Sequence, residues 1–190
     1  MKPFFFIILL IASILFVSCK KEQNLFQKML PDKTGIDFSN RITESDEFHI
    51  LAFEYIYNGG GIALADFNND SLQDIFFTGN MVNNRMYLNQ GNWDFRDITQ
   101  KAGVEGADRW SSGVSVVDIN NDGWLDVYVC ATSYEPGVKR ANLLYVNQGL
   151  QEDGIPYFRE MAESFGIADT SYSTTSAFFD YDNDGDLDLY

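Results

Sequence analysis

Three stretches of the chain read alike: DFNNDSLQD at residues 66–74, DINNDGWLD at 118–126 and DYDNDGDLD at 180–188. The last crowds five aspartates into nine residues. Two carboxylates held about 4 Å apart repel by roughly 4 kcal/mol at an effective dielectric near 20. A pattern that brings several together, and does so repeatedly, implies a compensating positive charge.

Numbered from its first aspartate, each stretch places an oxygen-bearing side chain at positions 1, 3, 5 and 9. These are Asp66, Asn68, Asp70 and Asp74; Asp118, Asn120, Asp122 and Asp126; and Asp180, Asp182, Asp184 and Asp188. Position 6 is Ser71, Gly123 or Gly185, where a sharp turn is expected. Position 7 is Leu72, Trp124 or Asp186. A side chain so variable is no obligatory ligand, whereas a backbone carbonyl at that position serves equally well in all three, leaving the Asp186 carboxylate to solvent. Such a set supplies the six or more hard oxygens that Ca²⁺ takes at about 2.3–2.6 Å, and offers no thiolate or imidazole for zinc or copper. The loops are not EF-hands, because position 12 is Phe77 or Val129 rather than a bidentate Glu and short β-type runs follow. Ser71, which has a Cβ where the others have glycine, marks the first loop as the weakest.

The opening aspartates lie 52 and 62 residues apart. Between them a second pattern recurs in the same order: NRMYLNQG at 84–91, Phe95 and AGV at 102–104, then NLLYVNQG at 142–149, Phe158 and FGI at 165–167. The extra length of the second unit falls in SYEPGVKR (133–140) and QEDGIPY (151–157), rich in turn formers and charge, as insertions into loops would be. The runs flanking each acidic loop (GIALA and DIFFTG, GVSVV and DVYVCAT, SAFF and DLDLY) are short and β-branched or aromatic, which favours strands. A repeat of roughly fifty residues with several short strands is the pattern of a propeller blade. The expected fold is all-β, about two and a half blades of a larger ring.

Composition agrees with a globular body that is 45% hydrophobic. A formal charge of −15, from 28 acidic against 13 basic residues, argues against nucleic acid as a partner. The first nineteen residues, MKPFFFIILLIASILFVSC, have a basic start, an apolar run too short to span a bilayer, and a small residue before Cys19, as in an export signal. They resemble the lipobox of bacterial lipoproteins, with Phe16 where Leu is commoner, and the resemblance implies lipidation of Cys19. The organisation is then a signal at 1–19, a polar tether at 20–33 and the propeller part at 34–190. Export permits disulfides, but once Cys19 is lipidated only Cys130 remains, read as a small core residue.

With these motifs in hand, the chain resembles the FG-GAP or VCBS-type calcium repeats of integrin-like β-propellers. The Asn-x-x-Tyr-x-Asn-x-Gly, Phe and Ala-Gly-Val elements narrow the resemblance to bacterial surface lipoproteins related to cartilage acidic protein, the ASPIC/UnbV group. It extends from about Thr34 to Tyr190. It implies a ring of about seven blades whose calcium loops join the first two strands of each blade. The repeats present do not close such a ring, so a longer protein is expected.

Other chemistry is thinly represented. Gly59–Gly61 lacks the Gly-Lys-Ser/Thr of a phosphate loop and reads as a turn. His49, the only histidine, leaves little scope for a nucleophilic relay and reads as a structural residue on a strand or edge. Trp93, Trp110, Trp124 and the other aromatics suit blade packing, or less readily a sugar-binding surface. The expectation is a calcium-stabilised, lipid-anchored extracellular module at the bacterial outer membrane or cell surface that recognises a glycan or a protein. The alternatives are a calcium-dependent polysaccharide lyase or hydrolase with catalytic residues elsewhere, and a passive scaffold of a glycan-uptake complex.

Overall fold

The computed structural model describes residues 25–132 and 139–190. The expected signal segment with Cys19 lies outside the described residues. Of the tether, residues 25–33 are exposed and end in a single helical turn, α1 (Pro31–Thr34), closed by left-handed Gly35 at φ 74°. Among the described residues no helix is long and apolar enough to cross a membrane.

The body is built from antiparallel meanders. The first sheet runs β1 (Ile62–Ala65), β2 (Asp74–Phe77), β3 (Arg85–Asn89), β4 (Phe95–Asp97), and the second β5 (Ser111–Val117), β6 (Asp126–Ala131), β7 (Leu143–Leu150), β8 (Pro156–Glu160). In each, the four strands are neighbours in chain order. A third unit begins with the hairpin β9 (Phe178–Phe179) and β10 (Asp188–Leu189). Each acidic stretch joins the first two strands of its unit, as the family resemblance implies. This is a β-propeller-like fragment made of successive blades.

Alternation along the strands explains how blades stack. In β6 every residue is buried: Val127 and Val129 join the core shared with the first sheet, while Tyr128 and Cys130 join the core that includes Phe178 and Leu189 of the third unit. A strand covered on both faces needs a continuous apolar run, which is what VYVC provides. Cys130 is buried there as a small core residue. The AGV element also acquires a reason: α2 (Thr99–Ala102) stops at Gly103, φ 77°, and turns Val104 fully into the first core. Ahead of β1, Phe48, Phe53, Ile56 and Trp110 form a smaller cluster.

Neighbouring blades are also joined by a repeated backbone bond. Gly61 N–H donates to the Ser112 carbonyl at 2.8 Å, and one repeat later Gly113 N–H donates to the Thr174 carbonyl at 3.0 Å. Glycine is required for the approach, since a Cβ on Gly61 would meet Val114 at 2.9 Å and one on Gly113 would meet the Thr174 oxygen at 2.5 Å. Two sequence readings change accordingly. Gly59–Gly61 is the lead into β1, and Gly61 is small because another backbone lies against it. His49 sits in a bend whose carbonyl accepts Ala52 and Phe53 N–H, not on a strand; the local run EFHILAF is apolar because Phe48 and Phe53 fill the cluster beside Trp110.

Gly113→Ala is expected to cost about 1–3 kcal/mol by overpacking, seen as a lower urea midpoint at unchanged slope.

Candidate metal centre

The three acidic loops share one internal geometry. The position 1 carboxylate accepts the backbone N–H groups of positions 5 and 6: Asp70 and Ser71 onto Asp66 at 3.0 and 2.7 Å, Asp122 and Gly123 onto Asp118 at 3.0 and 2.9 Å, Asp184 and Gly185 onto Asp180 at 3.1 Å each. The position 5 carboxylate accepts the N–H of position 7, from Leu72, Trp124 and Asp186, at 2.8, 2.8 and 3.0 Å. Each bond uses one acceptor site of a carboxylate that has about four, so lone pairs remain for an ion.

Positions 4 and 6 are left-handed in every loop. Ser71 adopts φ 69°, Gly123 85° and Gly185 94°, so the strain expected at Ser71 is real. Position 4 was not singled out by sequence, yet Asn69, Asn121 and Asn183 have φ of 57°, 55° and 64°. Asparagine tolerates this region better than most residues. Its recurrence in all three copies was the available signal.

Position 9 ties the loop to the blade. Asp74 Oδ2 accepts Phe67 N–H at 3.0 Å and its Oδ1 accepts Asn89 N–H at 2.8 Å; Asp126 does the same with Ile119 and Asn147 at 3.0 and 2.8 Å. Tyr181 N–H makes the matching bond to Asp188 at 2.9 Å. Asp74 and Asp126 are fully buried. Removal from water raises both carboxyls from 3.8 to about 6; the two N–H donors pull down and the carboxylates at positions 5 and 1 push up further.

The Asn-x-x-Tyr-x-Asn-x-Gly motif now has a physical role that spacing alone did not disclose. Its second asparagine supplies the backbone N–H that holds position 9, and its side chain bonds back to the carbonyl of Gln73 (2.9 Å from Asn89) or Leu125 (3.3 Å from Asn147). The first asparagine ends β2 or β6: Asn84 accepts Gly79 N–H at 3.1 Å and Asn142 accepts Ala131 N–H at 2.8 Å.

The three loops differ in how far their side-chain oxygens converge. In the first two, the position 3 amides of Asn68 and Asn120 donate to Asp70 and Asp122 at 2.9 and 2.8 Å. In the third, where position 3 is Asp182, carboxylate oxygens of Asp180, Asp182 and Asp188 lie within 4.8 Å of one another. At position 7, Leu72 is part-exposed and the Trp124 ring lies against Gly149. Asp186 is exposed, and a hydrogen bond and like charge from Asp184 raise its carboxyl. A donor set of carboxylate, amide and carbonyl oxygens suits a hard divalent cation.

Because Asp74 and Asp126 hold protons more tightly folded than unfolded, the ion-free folded chain takes up protons as pH falls through about 6. Their contribution is expected to raise stability on acidification from neutral pH toward about 4, and to lower it as pH rises again. Urea midpoints in chelator, compared between neutral pH and about pH 5, check the sign; a bound divalent cation is expected to weaken the trend.

Comparison with known proteins follows the same segments. Residues 51–129 match the model of the FG-GAP-like repeat. Cartilage acidic protein 1 of Xenopus tropicalis is 29% identical over 182 residues, which is 94% of this chain and 26% of that protein. The proteins of that name from Mus musculus and Homo sapiens are 29% and 28% identical over 132 and 136 residues, each covering 70% of this chain and 19% of the relative. The chain thus spans about a quarter or less of the length of these curated relatives. Residues 51–129 are thus similar to the FG-GAP-like repeat, and most of the chain is similar to part of cartilage acidic protein 1.

Proposed function

We propose that this chain is part of a calcium-stabilised extracellular binding or adhesion module, carried at a bacterial outer membrane or cell surface by lipid on Cys19, with a glycan or another protein as its ligand. The observation that carries the calcium reading is the buried carboxylate at position 9 of the first two loops, raised to about 6 with two further aspartates close by. A cation among these oxygens would favour the ionised carboxylate against the burial that raises it. The relatives are named for cartilage and for acidity, and this chain carries a charge of −15; an acidic surface module in a calcium-rich medium is the reading consistent with both.

A larger ring is supported by the outer face of the first sheet. Ile62 and Leu64 are 65% and 62% exposed, while Val114 and Val116, their counterparts one repeat later, pack against the core between the blades. The first blade thus presents to solvent the face that the second blade buries. A further blade of the same kind, closing a ring, would cover it.

Extracellular calcium sites bind with dissociation constants of about 0.1–1 mM, so millimolar calcium is expected to add about 0.4–1.4 kcal/mol per site. Calorimetric titration should show saturable binding with a higher melting temperature. Asp118→Ala should remove the second site, and Trp124→Ala should leave the number of sites unchanged. A folded protein that takes up no calcium would sink the reading.

A further inference from the structure

The acidic loops sit at one end of the first strands of the blades. At the other end, where β1 and β5 begin, lies a cavity of about 470 Å³, within the roughly 300–1,000 Å³ of small-ligand sites. Four or five strand residues separate the two ends, or about 15 Å, so this cavity is distinct from the candidate metal centre.

Its lining combines rings with small neutral polar groups. Trp110 and Phe53 are buried, 4% and 6% exposed, and meet edge to face at 5.8 Å between centroids. Phe53 in turn braces Tyr55 at 6.1 Å, and Tyr55 is 54% exposed. From the segment leading into the third unit comes Tyr172, 48% exposed, with the Arg140 guanidinium 5.0 Å from its ring centroid. Asn58 and Thr132 contribute amide and hydroxyl groups. None of the described lining residues is charged, in a chain with 41 acidic and basic residues, 28 and 13.

We propose that this cavity binds a neutral oligosaccharide. A pyranose ring has an apolar C–H face that stacks on tyrosine and a rim of hydroxyls that pair with amide and hydroxyl groups, which is the mixture present here. The tyrosines are braced by other side chains, so little ordering cost falls on binding. Uronic or sulfated sugars are disfavoured by the net charge of −15, and the Arg140 guanidinium beside the cavity is stacked on Tyr172. The assignment rests on reading the chain as an extracellular binding module and gives that module its ligand class and its site.

The test is affinity electrophoresis of the full chain in millimolar calcium through gels containing starch, galactomannan or mixed-linkage β-glucan, with polygalacturonate as the anionic probe. Calorimetry with oligosaccharides of any retarding polymer would follow. Retardation by a neutral polymer is expected, with affinity falling roughly three- to tenfold in Tyr55→Ala and in Tyr172→Ala. Tyr55→Phe should retain binding, and Trp93→Ala, at the acidic-loop end, should match the parent. Retardation that survives both tyrosine variants overturns the cavity as the site while leaving the binding-module reading standing. No retardation by any neutral polymer, or retardation by polygalacturonate alone, overturns the ligand class. Calcium titration of the same samples reports separately on the loops.

Discussion

Position 9 of the acidic loops is the constraint on which the blade depends. Asp74 and Asp126 each accept one N–H from their own loop and one from the third strand of their sheet, so a single buried carboxylate ties the acidic loop to the strand pairing. Burying a carboxylate is unfavourable, and the upward shift of both groups to about 6 records it. The two N–H bonds recover part of that cost. In the proposed calcium reading, a divalent cation would recover more and would couple ion binding to folding through this side chain.

The same residues explain why the repeat tolerates insertions. The second unit is longer than the first, yet Asp126, Asn142 and Asn147 make the bonds that Asp74, Asn84 and Asn89 make. Extra residues between them bear on none of these bonds. What cannot vary is the close approach of blades at Gly61 and Gly113, where backbone meets backbone, and the double-sided burial of the central strands.

Much of this was legible in the sequence because it is local or periodic. The three oxygen patterns, the left-handed turn at position 6, the strands on either side and the repeat itself follow from residue spacing, and spacing is fixed by the chain's own geometry. The family resemblance rested on the same motifs. Position 4 asparagines were equally local and simply went unread. His49 misled because an apolar run looks the same whether it pairs as a strand or fills a cluster from a bend.

Sequence by itself thus determined the repeat architecture and which oxygens stand together in each loop, since both follow from local spacing. Tertiary structure alone decided which carboxylates are buried, why Asn89 and Asn147 matter, that glycine at 61 and 113 is required by a neighbouring blade, and that Tyr55 and Tyr172, far apart in the chain, line one cavity. These depend on contacts between segments tens of residues apart. No spacing rule reaches across such distances, because only the packing of blade against blade brings those segments together.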